Sequence, residues 1–136
     1  MEYEAGHRHA EIIVSDLGLT TECKGVVTPG VSEKEEEGGE ELGEVDERRY
    51  RAIAARANYL AQDRVDIQFA AKEISRFTSK PEQEDWKKAK RLGRYLKDNL
   101  RVVLEYKFQK MPESVVVWSD TDFAGCKRTR HSTSGG

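Results

Sequence analysis

Two carboxylates two residues apart, Asp120 and Asp122 in Trp118-Ser119-Asp120-Thr121-Asp122, and six cations within eleven residues, Lys87, Lys88, Lys90, Arg91, Arg94 and Lys97, carry the clearest chemical content of this chain. On a strand, Asp120 and Asp122 would point to the same face, roughly 6 to 7 Å apart along it. Carboxylates so placed can hold a divalent ion over a phosphodiester. Two-metal chemistry, however, draws three or four carboxylates from different parts of a fold onto ions about 4 Å apart. One strand supplies only part of such a set, and an isolated Asp-x-Asp is more often a turn former than a pair of ligands.

With about 3.6 residues per turn, Lys87, Lys90, Arg91, Arg94 and Lys97 share one broad side of a helix. Such a stripe can track phosphates, each contact releasing counterions so that affinity falls with salt. A lysine-rich solvated face has the same spacing, and on the helix alone that is the ordinary reading. His7 and His9 flank Arg8 and point in different directions on a helix, so they read as surface residues and not as a metal pair. No nucleophile triad, phosphate-binding glycine loop or zinc spacing is present, which leaves conventional hydrolase and nucleotidase chemistry without support.

The elements that must position these groups follow from hydrophobic period. Ala10, Ile13, Val14 and Leu17 predict an amphipathic helix over residues 7–19 with Gly18 as its stop, and Thr28-Pro29-Gly30 predicts a turn. Residues 32 to 47 hold nine acidic residues and three glycines, the composition of a disordered acidic linker. Tyr50, Ile53, Ala54, Ala57 and Leu60 predict a helix that begins near Asp46 or Glu47. Ile67, Ala70, Ala71, Ile74 and Phe77 predict another, with Asp63 as its N-cap. Trp86, Ala89, Leu92, Gly93 and Leu96 line the apolar side of the basic helix, which starts at or just after Pro81 and runs to about Lys97. The period then changes to two: Val102 to Tyr106 and Val115 to Trp118 read as strands separated by a turn at Met111-Pro112-Glu113-Ser114.

Length and charge bound the rest. A chain of 136 residues fits one ordinary domain, and 35% charged residues is polar for a compact one. Residues 1–47 carry 14 acidic against 3 basic side chains, a net of −11, whereas residues 48–136 carry 20 basic against 11 acidic, a net of +9. The half with hydrophobic periodicity is therefore the basic half, which favours a polyanionic partner. No apolar run approaches the roughly 20 residues of a bilayer span and no secretory signal is evident, so no membrane partner and an intracellular, cytoplasmic or nuclear location are expected. Cys23 and Cys126 lie far apart and read as free thiols.

Taken together, Tyr50-Arg51-Ala52-Ile53, Asn58-Tyr59-Leu60-Ala61-Gln62, Arg64-Val65-Asp66-Ile67, Ser75-Arg76-Phe77, Trp86-Lys87-Lys88-Ala89-Lys90-Arg91, Arg94-Tyr95-Leu96-Lys97 and Ser119-Asp120-Thr121-Asp122-Phe123-Ala124-Gly125 resemble, in order and spacing, the Pol polyprotein of copia-type LTR retrotransposons. The resemblance covers residues 50 to 135. A weaker likeness, in His9-Ala10-Glu11-Ile12-Ile13 and Cys23-Lys24-Gly25-Val26-Val27-Thr28-Pro29-Gly30, extends it towards the N-terminus.

That resemblance implies an α+β fold: a small bundle of three to four helices, like the thumb and connection of a reverse transcriptase, running into two strands of an incomplete RNase H-like sheet. It divides the chain at residues 1–31 (helix and turn at the palm–thumb junction), 32–47 (linker), 48–100 (helical thumb-like region) and 101–136 (start of an RNase H-like domain). It also implies that Asp120 is the first metal-binding, catalytic aspartate of an RNase H that uses Mg²⁺. The cations Lys87, Lys90, Arg91, Arg94 and Lys97 would meet an RNA–DNA hybrid or double-stranded nucleic acid, and the remainder of the polyprotein would be a partner. The chain departs from the pattern in Val65, where proline is usual, in Gly93, where an aliphatic is usual, and in its acidic insertion. It also lacks the polymerase aspartate pair and most RNase H carboxylates. The expectation is a catalytically incomplete fragment that binds nucleic acid. A segment of an active polyprotein with Mg²⁺-dependent RNase H activity, and a domesticated helical protein-interaction module, are the alternatives.

Overall fold

Apolar side chains at helical spacing, with acidic residues at helix starts, account for four helices. In the computed structural model, which describes residues 1–20, 22–31, 39–122 and 132–135, the last strand pair by its backbone, these are α1 (Arg8–Asp16), α2 (Glu44–Leu60), α3 (Gln68–Ser75) and α4 (Gln83–Asp98). A 3-10 turn, Val65–Ile67, leads into α3. The short strands are β1 (Glu2–Glu4), β2 (Val103–Glu105), β3 (Asp120–Asp122) and β4 (Thr133–Gly135). The fold is α+β, as the sequence implied, and no RNase H sheet is assembled from the described residues.

One core joins the helices. Ala10 and Ile13 of α1, Tyr50, Ile53 and Ala57 of α2, Ala71 and Ile74 of α3, and Ala89, Leu92 and Leu96 of α4 are almost wholly removed from water. The α1 helix ends as its sequence asks: Gly18 takes a positive φ of 64°, its N–H bonds the Ser15 carbonyl at 2.9 Å, and the Leu19 N–H reaches the Val14 carbonyl at 3.2 Å. That pair of bonds satisfies carbonyls otherwise left bare at a helix end, and it needs the left-handed residue that glycine supplies. In α4 the start is equally specified. The buried Asp85 carboxylate accepts the Glu82 N–H at 3.0 Å while the Glu82 side chain takes a first-turn N–H, closing a capping box.

Helix ends are also tied by side chains of α2. The Tyr50 hydroxyl, fully buried, donates to the Ile74 carbonyl at 2.5 Å, and Arg51 donates through Nε to the Thr78 carbonyl at 2.8 Å. Both cover carbonyls at or just past the end of α3, where no intrahelical donor remains. Arg49 does the same for α1, donating to the Asp16 carbonyl at 2.6 Å.

The structure corrects the sequence reading in four places. The α2 helix begins at Glu44, inside the stretch assigned to a linker, because Glu44, Asp46 and Glu47 sit at its positive end and Arg48 and Arg51 pair back onto Glu44 and Glu47. Residues 39–43 are held too: the Gln83 N–H bonds the Glu40 carbonyl at 2.9 Å and the Leu42 N–H the Pro81 carbonyl at 3.1 Å. Asp63 caps nothing; the chain turns through Arg64 into the 3-10 segment instead, and no side chain caps α3. Residues 115–118 form no strand. Val115, Val117 and Trp118 are each over 80% exposed, since β-branched composition favours a pleated, half-buried surface and nothing among the described residues covers or pairs with the run. Finally, β2 pairs antiparallel not with that run but with β1, Tyr3 opposite Leu104, and β3 pairs with β4, Asp120 opposite Gly135.

Gly93 acquires a packing reason. A Cβ there would lie 2.3 Å from Leu17 Cδ1 and 2.8 Å from Leu19 Cδ1, so the glycine lets the end of α1 rest against α4. Gly93→Leu gains about 0.8 kcal/mol of helix propensity but overfills this crossing, which costs about 1–3 kcal/mol. A net loss of about 1 kcal/mol is expected in denaturant unfolding. An increase in the unfolding midpoint would show that α1 moves aside freely.

Candidate nucleic-acid interface

The capping box and the buried stripe of α4 leave its cations facing away from the core, and a strap formed by residues 22–31 crosses that side. Arg91 donates to Thr28 Oγ1 at 2.8 Å, and Lys97 donates to the Cys23 carbonyl. Gly30 lies so close to α3 that a Cβ would stand 3.3 Å from both Ala70 Cβ and Phe69 Cδ1. Between strap, α3 and α4 is a cavity of about 270 Å³. Pro29, Val31, Phe69 and Ile74 give it apolar walls, while Lys87, Lys88, Lys90, Arg91 and Arg94 surround it with positive charge. Glu73, its one carboxylate among the described residues, is paired with Arg76 at 3.0 Å.

Four of the five cations predicted from the helical period, Lys87, Lys90, Arg91 and Arg94, are thus brought to one opening. Lys97 is not among them. Its side chain is only 16% exposed and is held by the strap and by Asp98 at 3.6 Å, which makes it an anchor. Lys88, left off the predicted side, joins the cavity while also lying 3.7 Å from Asp85 and over the Phe77 ring at 5.4 Å. Lys90 stands 5.9 Å above the Trp86 ring. The Nε–H donors of Arg91 and Arg94 are buried without a hydrogen-bond partner, an arrangement that costs free energy until an acceptor arrives. Phe69 escaped the sequence reading because it falls off the apolar stripe of α3; its signal is that it is aromatic and yet 54% exposed.

A partly buried charge cluster ties the 3-10 turn before α3 to α4. Arg64, 2% exposed, grips Asp66 through Nε–Oδ1 at 2.8 Å and Nη2–Oδ2 at 2.6 Å, and the Tyr95 hydroxyl donates to Asp66 Oδ2 at 3.0 Å. Burial raises the Asp66 carboxyl, but the Arg64 guanidinium and the Tyr95 hydroxyl outweigh it and hold the carboxyl below its ordinary value. The Tyr95 phenol is pushed up, first by burial and then by its bond to the Asp66 carboxylate.

The predicted metal residue is placed differently. Asp120 opens β3, with the Asp120 and Asp122 backbones on one short two-stranded ribbon; their side chains, like Cys126 and His131, lie outside the described residues. Among the described residues no three His, Cys, Asp or Glu side chains converge to hold an ion. Of the histidines, His7 is surface-exposed beside Glu11, whereas His9 is half-buried and packs on the Tyr59 ring at 4.7 Å between centroids, a correction to its reading as solvated. Cys23 is a free thiol. Among the described residues no helix is long and apolar enough to cross a membrane.

Comparison with known proteins finds a curated relative. The chain is similar to the uncharacterized mitochondrial protein AtMg00810 of Arabidopsis thaliana, 30% identical over 128 residues, which is 94% of this chain and 52% of the relative. The chain therefore spans about half the length of the curated protein it matches. No protein-family model matches it, and no solved structure does.

Proposed function

We propose that this chain is a segment of a copia-type retrotransposon Pol polyprotein and that its own activity is binding of an RNA–DNA hybrid or duplex through the cationic side of α4. The observation that carries the reading is the convergence of Lys87, Lys90, Arg91 and Arg94 on one opening while the opposite side of α4 fills the core. Similarity to a protein of which the chain spans about half supports its being part of something longer. In the polyprotein, Asp120 would supply one carboxylate of a Mg²⁺ site whose other ligands come from the rest of the RNase H domain. By this reading the chain alone cleaves nothing, and it works in the cytoplasm or nucleus.

Titration of a labelled hybrid at several salt concentrations tests the interface. Lys90→Ala and Arg94→Ala are each expected to weaken binding and to lower the slope of log affinity against log salt by about one, the signature of a lost phosphate contact. Binding that is indifferent to both changes removes the assignment. A stable fold with no nucleic-acid affinity at all would instead favour a protein-interaction module. For the enzymatic reading, restoring downstream polyprotein sequence should yield Mg²⁺-dependent RNA cleavage that Asp120→Asn abolishes.

A further inference from the structure

We infer that the cavity behind the α4 cations receives an unpaired nucleobase, so that the nucleic acid preferred by this surface carries a single-stranded extension. The inference rests on the binding reading above and adds to it a subsite. Phosphate tracking alone needs only a charged ridge, yet the cations here ring a recess with apolar walls. At about 270 Å³ the recess falls just below the roughly 300–1,000 Å³ of sites that enclose drug-sized ligands, which suits a single planar ring and not a larger ligand.

The walls match one base in particular ways. Phe69 presents to the recess an aromatic ring that is 54% exposed. Bases stack on such rings with little regard to sequence because every base has a π-face. Pro29 and Val31 on the strap also line the recess, on either side of Gly30, which passes close to Phe69 and Ala70. Around the opening, Lys90 makes no hydrogen bond or ion pair among the described residues and Arg94 keeps a buried, unpartnered Nε–H, so a phosphate flanking the inserted base would find donors already placed. Glu73 does not spoil the charge match, because Arg76 neutralises it. Within a duplex every base is paired and stacked, so a blunt end offers the cavity nothing, whereas an unpaired extension offers a ring and a phosphate together.

The test compares a short RNA–DNA hybrid that is blunt with the same hybrid bearing an unpaired 3′ extension, for the native chain, Phe69→Ala, Phe69→Tyr and Arg94→Ala. The native chain is expected to bind the extended hybrid roughly tenfold more tightly, within the range that stacking of one base on an aromatic side chain provides. Phe69→Ala should erase that preference, and Phe69→Tyr should keep it. Arg94→Ala should weaken both substrates. Equal affinity of the native chain for the two hybrids, or a preference that survives Phe69→Ala, overturns the cavity assignment while leaving the phosphate ridge intact. Absence of binding to either substrate removes both. Because Phe69 is half-exposed, its variants are expected to fold, which circular dichroism verifies.

Discussion

Asp66→Ala is expected to destabilise the protein by about 3 kcal/mol, the low end for stranding one member of a buried ion pair, because Arg64 is buried but the Asp66 side chain is 22% exposed. Arg64 is 2% exposed, and without Asp66 its guanidinium keeps, among the described residues, a long 3.4 Å bond to the Leu100 carbonyl. The Tyr95 hydroxyl loses its acceptor as well. Denaturant unfolding should show a lower midpoint at unchanged slope. Joining Asp66→Leu to Arg64→Met should recover a large part of the loss, since apolar groups of similar shape remove the stranded charge. A single substitution costing under about 1 kcal/mol would mean that water reaches the guanidinium and solvates it. The pH dependence follows from the lowered Asp66 value. A carboxyl that binds fewer protons folded than unfolded stabilises fully above its unfolded pKa of about 3.9, and that stabilisation disappears as pH falls through the lower native value. Asp66→Asn should therefore flatten the acid limb of a stability–pH curve.

Trp86→Ala should cost about 3 kcal/mol, the low end for removing a buried aromatic, because the ring keeps a 9% exposed edge. That edge is where the effect reaches the interface. Lys90 stands 5.9 Å above the ring and Arg49 stands 5.5 Å from it, and Arg49 also covers the Asp16 carbonyl at the end of α1. Losing the ring removes the surface on which both cations rest, so weaker hybrid binding should accompany the lower stability, and Trp86→Phe should restore most of each. If the midpoint falls but binding is unchanged, Lys90 does not depend on Trp86 for its position.

How far the interface could be read in advance is clearest on α4. Its apolar stripe, Trp86, Ala89, Leu92, Gly93 and Leu96, is buried as the period of 3.6 required, so the opposite side had to carry the cations. The period could not separate Lys97 from Arg94, because what distinguishes them is the strap, whose Cys23 carbonyl takes one and not the other. Nor could it reveal the Arg64–Asp66–Tyr95 cluster, in which two residues of the 3-10 turn region meet a third from α4. Strand propensity misled at residues 115–118 for a related reason: a strand exists only with a partner, and β2 found its own in β1, about a hundred residues away.

What the sequence determined by itself is what depends on local period and on residues near one another: four helices, the glycine stop of α1, the start of α4 at its acidic turn, and the side of α4 on which positive charge collects. Tertiary structure alone decided which cations gather at one opening, that a recess with an aromatic wall lies behind them, and that the Arg64–Asp66 pair joins Tyr95 of α4. These depend on contacts between segments far apart in the chain. Close packing selects such contacts from the many that local composition permits, and no local pattern encodes them.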